Sequence, residues 1–340
     1  MLSVKSVIFS FMTKQKKKSR SKEVYHLKNW SAYDKALVNR YSLTLWISDD
    51  VQKMWKYSGP RQRGGQYEYS DTAIETMLTI KELFHLTNRG VEGFVSSLFE
   101  LMGVDLSVPD HTTISTRGKT LNVEISSKRS KGGVHILVDS SGLKVYGEGE
   151  WKVRKHGYSK RRTWRKLHLM VEPNSHEIIG VDITQAGGHG SHSVEPLLDQ
   201  LDPEAEIESF TGDGGYDTWG VYDVVQARAA DAKILIPPQK NAKIKQHGNC
   251  DVVPLLRDET LRAIRKTGRK KWKQTSGYHQ RSLVETSMYR YKTIFCEDLT
   301  ARSIEAQTVQ ARLRCKILNT MTALGMPDSC KWLYENSDSA

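Results

Sequence analysis

A change of period near residue 126 constrains this chain more than any other feature. Upstream, over about residues 29 to 122, apolar residues recur at helical spacing. Val91, Phe94, Val95, Leu98, Phe99 and Met102 step by 3, 1, 3, 1 and 3, which gathers them on one helix face. A basic, Gly/Ser-rich stretch at 126–133 then reads as a linker. Beyond it the apolar residues come in short runs at 135–139, 143–146, 166–171, 178–183, 207–211 and 234–236, with turn residues between them. Helices are expected at 194–201, 218–230, 278–292 and 303–324. Strands in succession, followed by strands alternating with helices, describe a mixed sheet with helices on its faces. The expected fold class is α/β, preceded by a small all-α domain. The expected divisions are a disordered basic tail at 1–24, a helical domain at 25–125, a sheet domain at 126–325 and a C-terminal tail at 326–340.

Within the helical part, Thr72 with Glu75 three residues on reads as a capping box. Asp110 is expected to cap a short helix at 112–121 carrying Thr112, Thr113, Ser115, Thr116, Arg117 and Lys119. That helix suits a groove-entering element and equally a polar surface helix.

The 340 residues carry a formal net charge of +12. The excess is clustered: Lys14 to Lys22 in the tail, Lys152 to Lys166 without an acid among the charges, and Arg262 to Lys273. Tryptophans and tyrosines interleave (Trp151, Tyr158, Trp164, Trp272), a pattern that fits a polyanionic partner such as nucleic acid. The four cysteines show no CxxC pairing and read as reduced thiols of a cytoplasmic protein. No stretch approaches the length of a membrane span.

Tyr278, Arg281, Glu285 and Lys292 follow one another at intervals of three, four and seven. On a continuous helix these spacings fall within a stripe roughly 60° wide. Such a face can hold a divalent cation and grip phosphates beside it, although an ordinary Arg281–Glu285 pair on a solvated helix has the same spacing. Two upstream acids favour the first reading. Asp139 closes the run at 135–139, and Asp213 follows the run at 207–211 in the glycine-rich turn Gly212-Asp213-Gly214-Gly215. Ligands in such sheets bind beyond strand ends. Three oxygen donors from distant places suit Mg²⁺ or Mn²⁺. Zinc is disfavoured, because His189 and His192 form the one HxxH and have no cysteine nearby. Asp217 reads as a helix cap, Asp182 as a solvent-facing strand residue, and Glu297 and Asp298 as acids off the stripe.

The segment Tyr278-His-Gln-Arg281-Ser-Leu-Val-Glu285-Thr-Ser-Met-Tyr-Arg-Tyr-Lys292 resembles the Y-x2-R-x3-E-x6-K signature of a branch of DDE transposases of bacterial insertion sequences. The blocks Val138-Asp139-Ser140-Ser141-Gly142 and Gly212-Asp213-Gly214-Gly215-Tyr216-Asp217 resemble that family's first and second aspartate blocks, and the resemblance spans roughly 30–325. It implies a ribonuclease H-like catalytic domain in which Asp139, Asp213 and Glu285 are catalytic and bind two Mg²⁺ or Mn²⁺ ions. Tyr278, Arg281 and Lys292 would grip the transposon-end DNA. The basic cluster at 152–166 itself suggests Arg161, Arg162 and Lys166 as contacts to the DNA backbone. The implied partners are double-stranded DNA, at terminal inverted repeats and at the target, and a second copy of the chain on that DNA. The implied location is the bacterial cytoplasm, at the nucleoid. The stretch between Asp217 and Tyr278 is short and helical beside the large β-insertion of some relatives. The other readings are a domesticated, non-catalytic DNA-binding protein and a ribonuclease H-like nuclease that does not join strands.

Overall fold

The computed structural model describes residues 25–61, 63–125, 132–145, 164–188, 190–246 and 253–331. The expected tail at 1–24, most of the linker, the basic residues of 152–162 including Arg161 and Arg162, His189, Cys250 and residues 332–340 lie outside these ranges.

The chain enters through a short strand, β1 (Tyr25–Leu27), and the helices α1 (Trp30–Asn39), α2 (Leu43–Trp46), α3 (Asp49–Lys53), α4 (Asp71–Leu83), α5 (Asn88–Met102) and α6 (His111–Arg117). The sheet region follows with β2 (Val134–Val145), β3 (Trp164–Val171), β4 (Ile178–Gln185), α7 (Val194–Leu198), β5 (Ile207–Thr211), α8 (Trp219–Arg228) and β6 (Lys233–Leu235). It closes with α9 (Leu256–Thr267), α10 (Arg269–Thr275), a 3₁₀ turn (Tyr278–Arg281), α11 (Ser282–Phe295), β7 (Asp298–Leu299), α12 (Ile304–Leu324) and β8 (Ser329–Lys331), the last pairing antiparallel with β1. Among the described residues no helix is long and apolar enough to cross a membrane.

The mixed sheet is present, in the order β4-β3-β2-β5-β6 with β7 on β2. β3 runs antiparallel to both β2 and β4, whereas β5 and β7 pair parallel with β2, and β6 with β5. Helices cover both faces. On one, Leu137, Leu143, Leu167, Leu169 and Val181 pack beneath residues of α4, α5, α6, α11 and α12; on the other, Ile136, Val138, Met170 and Phe210 meet α7 and α8.

The expected break at residues 140–142 is absent. β2 runs unbroken through Gly142, so the runs 135–139 and 143–146 are one twelve-residue strand. Cross-strand pairing to β3 continues from Leu137 to Lys144 and holds the glycine extended. The helical region does not close a core of its own, because Ile74, Met77, Val91, Val95 and Phe99 belong to the same cluster as the sheet's Leu137 and Leu169. Glu82 of α4 and Arg314 of α12 form an ion pair at 2.7 Å inside that shared core, each less than a tenth exposed.

Cap positions were partly legible. Asp110 caps α6 as expected, accepting from the Thr112 and Thr113 amides at 2.7 and 2.8 Å. α4 begins two residues earlier than expected, with Ser70 accepting from the Ala73 amide at 3.1 Å. Glu75 is therefore free of capping and pairs with Lys316. On α5 only half of the expected apolar face is buried: Val91, Val95 and Phe99 face inward at every fourth position, while Phe94 and Met102 are exposed.

Candidate active site

The ladder between β2 and β5 ends at the pair Leu137 and Thr211. Asp139 and Asp213 each lie two residues beyond that last pair, which puts both carboxylates at the same level of the sheet. Asp139 is thus inside a strand rather than at its end, as its sequence run suggested, because β2 continues along β3. Its neighbour β5 stops, and β7 rejoins β2 only at Lys144 and Val145. The edge of β2 left between them is where the 3₁₀ turn meets the strand.

Residue parity decides which face each side chain uses. Asp139 pairs with Leu169, whose neighbours form the core under α11, so Asp139 and Glu285 of α11 lie on one side. The even-numbered positions face the other core. Lys166 pairs with Gly142 there, and its Nζ lies 3.5 Å from the Gly188 carbonyl oxygen. The structure therefore sets Lys166 on the face opposite the carboxylates.

The four signature residues do not share one α-helix. Tyr278 and Arg281 form the 3₁₀ turn, and α11 begins at Ser282. Gly277, at φ +86°, redirects the chain from α10 into that turn in a conformation that favours glycine. Tyr278 and Arg281 are three apart in a structure with three residues per turn, so they stay on one side. Glu285 and Lys292 continue that side along α11, with Lys292 about 10 Å beyond Glu285 at 1.5 Å per residue.

Arg281 is the centre of the cluster. Its Nη1 donates to Asp139 Oδ2 at 2.9 Å, and its Nη2 donates to Glu285 Oε1. The other Asp139 oxygen accepts the Ser140 amide at 2.8 Å, and Asp213 Oδ1 accepts the Gly215 amide at 2.8 Å. Burial raises the Asp139 carboxyl above its ordinary range; the Ser140 amide and the Arg281 charge oppose this, and Asp213 and Glu285 add to it. Both other acids therefore act on Asp139. Burial works against the Arg281 proton, but Tyr278, Asp139, Glu285 and Asp213 together hold it more tightly than usual.

Tyr278 has its ring in a small core with Leu235, Ile264 and Trp272, its centroid 5.9 Å from the Trp272 ring. Burial raises its hydroxyl pKa; Arg281 opposes this, and Asp213 and Asp139 reinforce it. The Lys273 ammonium sits 4.8 Å from the ring centroid, so one member of the 262–273 cluster faces the site. Arg262 instead donates to the Gln246 carbonyl at 2.6 Å. Arg265, Lys266, Lys270 and Lys271 are exposed.

Sequence reasoning missed the brace behind Asp213. Asp217 does not cap α8; it is 4% exposed and takes a two-pronged pair from Arg257, at 2.7 and 2.8 Å, and the Gln239 amide at 2.9 Å. This fixes the Asp213 turn to α9. Forty residues separate the partners, and no local pattern marks them. Asp182 is half-buried opposite His168 on the far face, and Glu297 pairs with Lys144 at 3.0 Å. Among the described residues no group of three His, Cys, Asp or Glu side chains is gathered closely enough to hold a metal ion. Arg281 occupies the position between two of the three acids.

Two models of the transposase DDE domain match this chain, over residues 38–148 and over residues 130–320. The second spans more than half of the chain and contains all three acids, and the chain belongs to the DDE transposase family. Among solved structures it is similar to a piggyBac transposase synaptic complex with hairpin DNA, at 11% sequence identity and a TM-score of 0.34, over 84% of this chain and 75% of that one. The protein is a transposase, an enzyme that cuts and joins DNA.

Proposed function

We propose that Asp139, Asp213 and Glu285 are the acids of the DDE centre, that the chain is of the Y-x2-R-x3-E-x6-K branch, and that it cuts the ends of its own bacterial insertion sequence and transfers the 3′-hydroxyl ends into target DNA. The observation that carries this reading is the joint level of Asp139 and Asp213 beyond the β2–β5 ladder, with Glu285 joined to Asp139 through Arg281. The donor set is all oxygen, with Asp139 and Asp213 part-buried and Glu285 exposed, which suits a hard divalent cation. Mg²⁺ or Mn²⁺, two ions in this reading, would stabilise charge on the attacking and leaving oxygens of the phosphodiester.

The protein's own groups divide the remaining work. The Ser140 and Gly215 amides orient the two aspartates. Arg281 offsets part of the charge of Asp139 and Glu285 until other positive charge arrives, and it can then turn its fork to a phosphate. The Tyr278 hydroxyl and Lys292 flank the acids and would hold the DNA end. Lys166, on the other face, together with Arg161 and Arg162, would follow the backbone farther from the cut. Two copies on paired ends, in the bacterial cytoplasm at the nucleoid, complete the reading.

Replacing Asp139 or Glu285 with Ala tests the centre. Cleavage of end-containing duplexes should fall to background while end binding survives. Normal cleavage by either variant overturns the assignment. Joining of pre-cut 3′ ends to a target duplex by the unaltered protein separates a transposase from a nuclease that only cuts.

A further inference from the structure

Two arginines without an acidic partner among the described residues meet where α1 reaches the C-terminal end of α12. Arg40, the C-cap of α1, is 8% exposed, and its Nη2 donates to the Gly325 carbonyl at 3.3 Å. Its guanidinium carbon lies 5.6 Å from the centroid of the Tyr33 ring. Arg290, on α11, donates through Nη1 to Thr322 Oγ1 at 3.0 Å. Thr322 and Gly325 lie three residues apart at one end of α12, which brings the two cations together. Burial loosens the Arg290 proton and Arg40 loosens it further, with Tyr33 the group opposing them.

Two N–H groups in this cluster, at Arg40 Nε and Arg290 Nη2, are buried with no acceptor among the described residues. Buried charges are ordinarily paired, and an unsatisfied charged donor is among the costlier features a fold can carry. The α12 carbonyl end favours a cation nearby, but it accepts one N–H from Arg40 and leaves Arg290 on a hydroxyl. A water molecule could accept the spare N–H groups, yet a neutral acceptor leaves two positive charges side by side. An oxyanion removes both costs, because guanidinium forks match phosphate oxygens in pairs.

We propose that Arg40 and Arg290 form a phosphate-binding site, separate from the carboxylate centre, that takes a backbone phosphate of the bound DNA. Arg290 follows Glu285 by five residues, about 140° around α11, so it lies off the helix face that carries the acid and would contact a different phosphate from the one being cut. Trp30, whose ring centroid lies 6.5 Å from that of Tyr33, and Tyr289, next to Arg290 in the chain, are 57% and 70% exposed, and aromatic side chains beside basic ones are common on nucleic-acid surfaces. The choice of DNA as the source of the phosphate rests on the transposase reading.

The test uses the full-length protein and Arg290→Gln, with Arg40→Gln as a second variant. Inorganic phosphate should raise the melting temperature of the unaltered protein above that seen in sodium chloride of equal ionic strength, and Arg290→Gln should lose that increment. On end-containing duplexes, the slope of log affinity against log salt should shrink by about 1 in Arg290→Gln, the effect of one lost phosphate contact. Absence of a phosphate-specific shift in the unaltered protein, or an undiminished shift in Arg290→Gln, overturns the site. A shift that disappears in the variant while the DNA slope stays unchanged overturns the assignment to DNA and leaves free phosphate as the ligand. If Arg40→Gln does not fold, the phosphate titration and Arg290→Gln still decide the matter. Glu285→Ala should keep the full slope while losing cleavage, so failure of the catalytic reading is seen separately.

Discussion

Arg281 and Asp139, 142 residues apart, are joined by a 2.9 Å hydrogen bond that places a guanidinium between Asp139 and Glu285. The same arginine reaches Glu285, one helical turn ahead of it. In the protein alone, an internal cation thus offsets part of the charge of Asp139 and Glu285.

Arg281→Gln should therefore affect both stability and chemistry. Without divalent ions it removes the counter-charge of a part-buried acid, a loss of about 1–3 kcal/mol, readable in urea unfolding. Added Mn²⁺ should recover more stability in the variant than in the unaltered protein. Equal recovery in both would show that Arg281 does not compete with the cation.

Tyr278 separates packing from hydroxyl chemistry. Tyr278→Ala opens the small core around Trp272 and should cost roughly 3–5 kcal/mol, the range for removing a buried aromatic. Tyr278→Phe should unfold close to the unaltered protein yet cleave end DNA more slowly. Full cleavage by the Phe variant would confine Tyr278 to a packing role.

The Glu82–Arg314 pair ties the helical region to the sheet region. Burial pushes the Glu82 carboxyl up, but Arg314, Lys81 and Gln310 outweigh it and hold it below the usual range. Arg314→Met strands a buried carboxylate and should cost about 3–5 kcal/mol. Unfolding should remain one transition by fluorescence and circular dichroism, because one core serves both regions. Two separate transitions would show independent domains.

Asp110 gives a pH signature. Hydrogen bonds from Thr112 and Thr113 hold its carboxyl down at about 2 against an ordinary 3.8. A depressed carboxyl contributes stability above 3.8 that is lost as pH falls toward 2. Asp110→Asn keeps a capping oxygen but not the charge, so its stability should vary less with pH across that window. Parallel pH profiles for the two proteins would contradict this.

The exposed charges Arg265, Lys266, Lys270 and Lys271 should appear in the salt response. Each one that meets a phosphate contributes about 0.9 to the slope of log affinity against log salt. Replacing all four with Ala should flatten the slope on end DNA and on scrambled DNA alike. A slope that does not change would show that this face of α9 and α10 points away from DNA.

Much of this architecture is readable from local pattern. The period-2 and short apolar runs mark the strands, and the α6 cap follows from Asp110 and the two threonines after it. The spacing of Tyr278, Arg281, Glu285 and Lys292 singles out the signature segment, because each of these is a relation between residues a few positions apart. Asp217 shows where that kind of reading ends. Locally it has the form of a helix cap, and only the approach of α9 makes it the buried partner of Arg257.

Asp139 draws the same boundary from the other side. Its run in the sequence stops at residue 139, but pairing with β3 carries the strand on to Val145, and the early end of β5 is what exposes the carboxylate. The sequence by itself determined which segments could bury an apolar face and which acids and bases were available, since periodicity and residue chemistry are local properties. Only the tertiary structure decided that Lys166 and Asp139 lie on opposite faces, that the helices share the sheet's core, and that Arg281 stands between two acids. Those outcomes depend on strand register and on side chains meeting across more than a hundred residues of chain, and no local period encodes either.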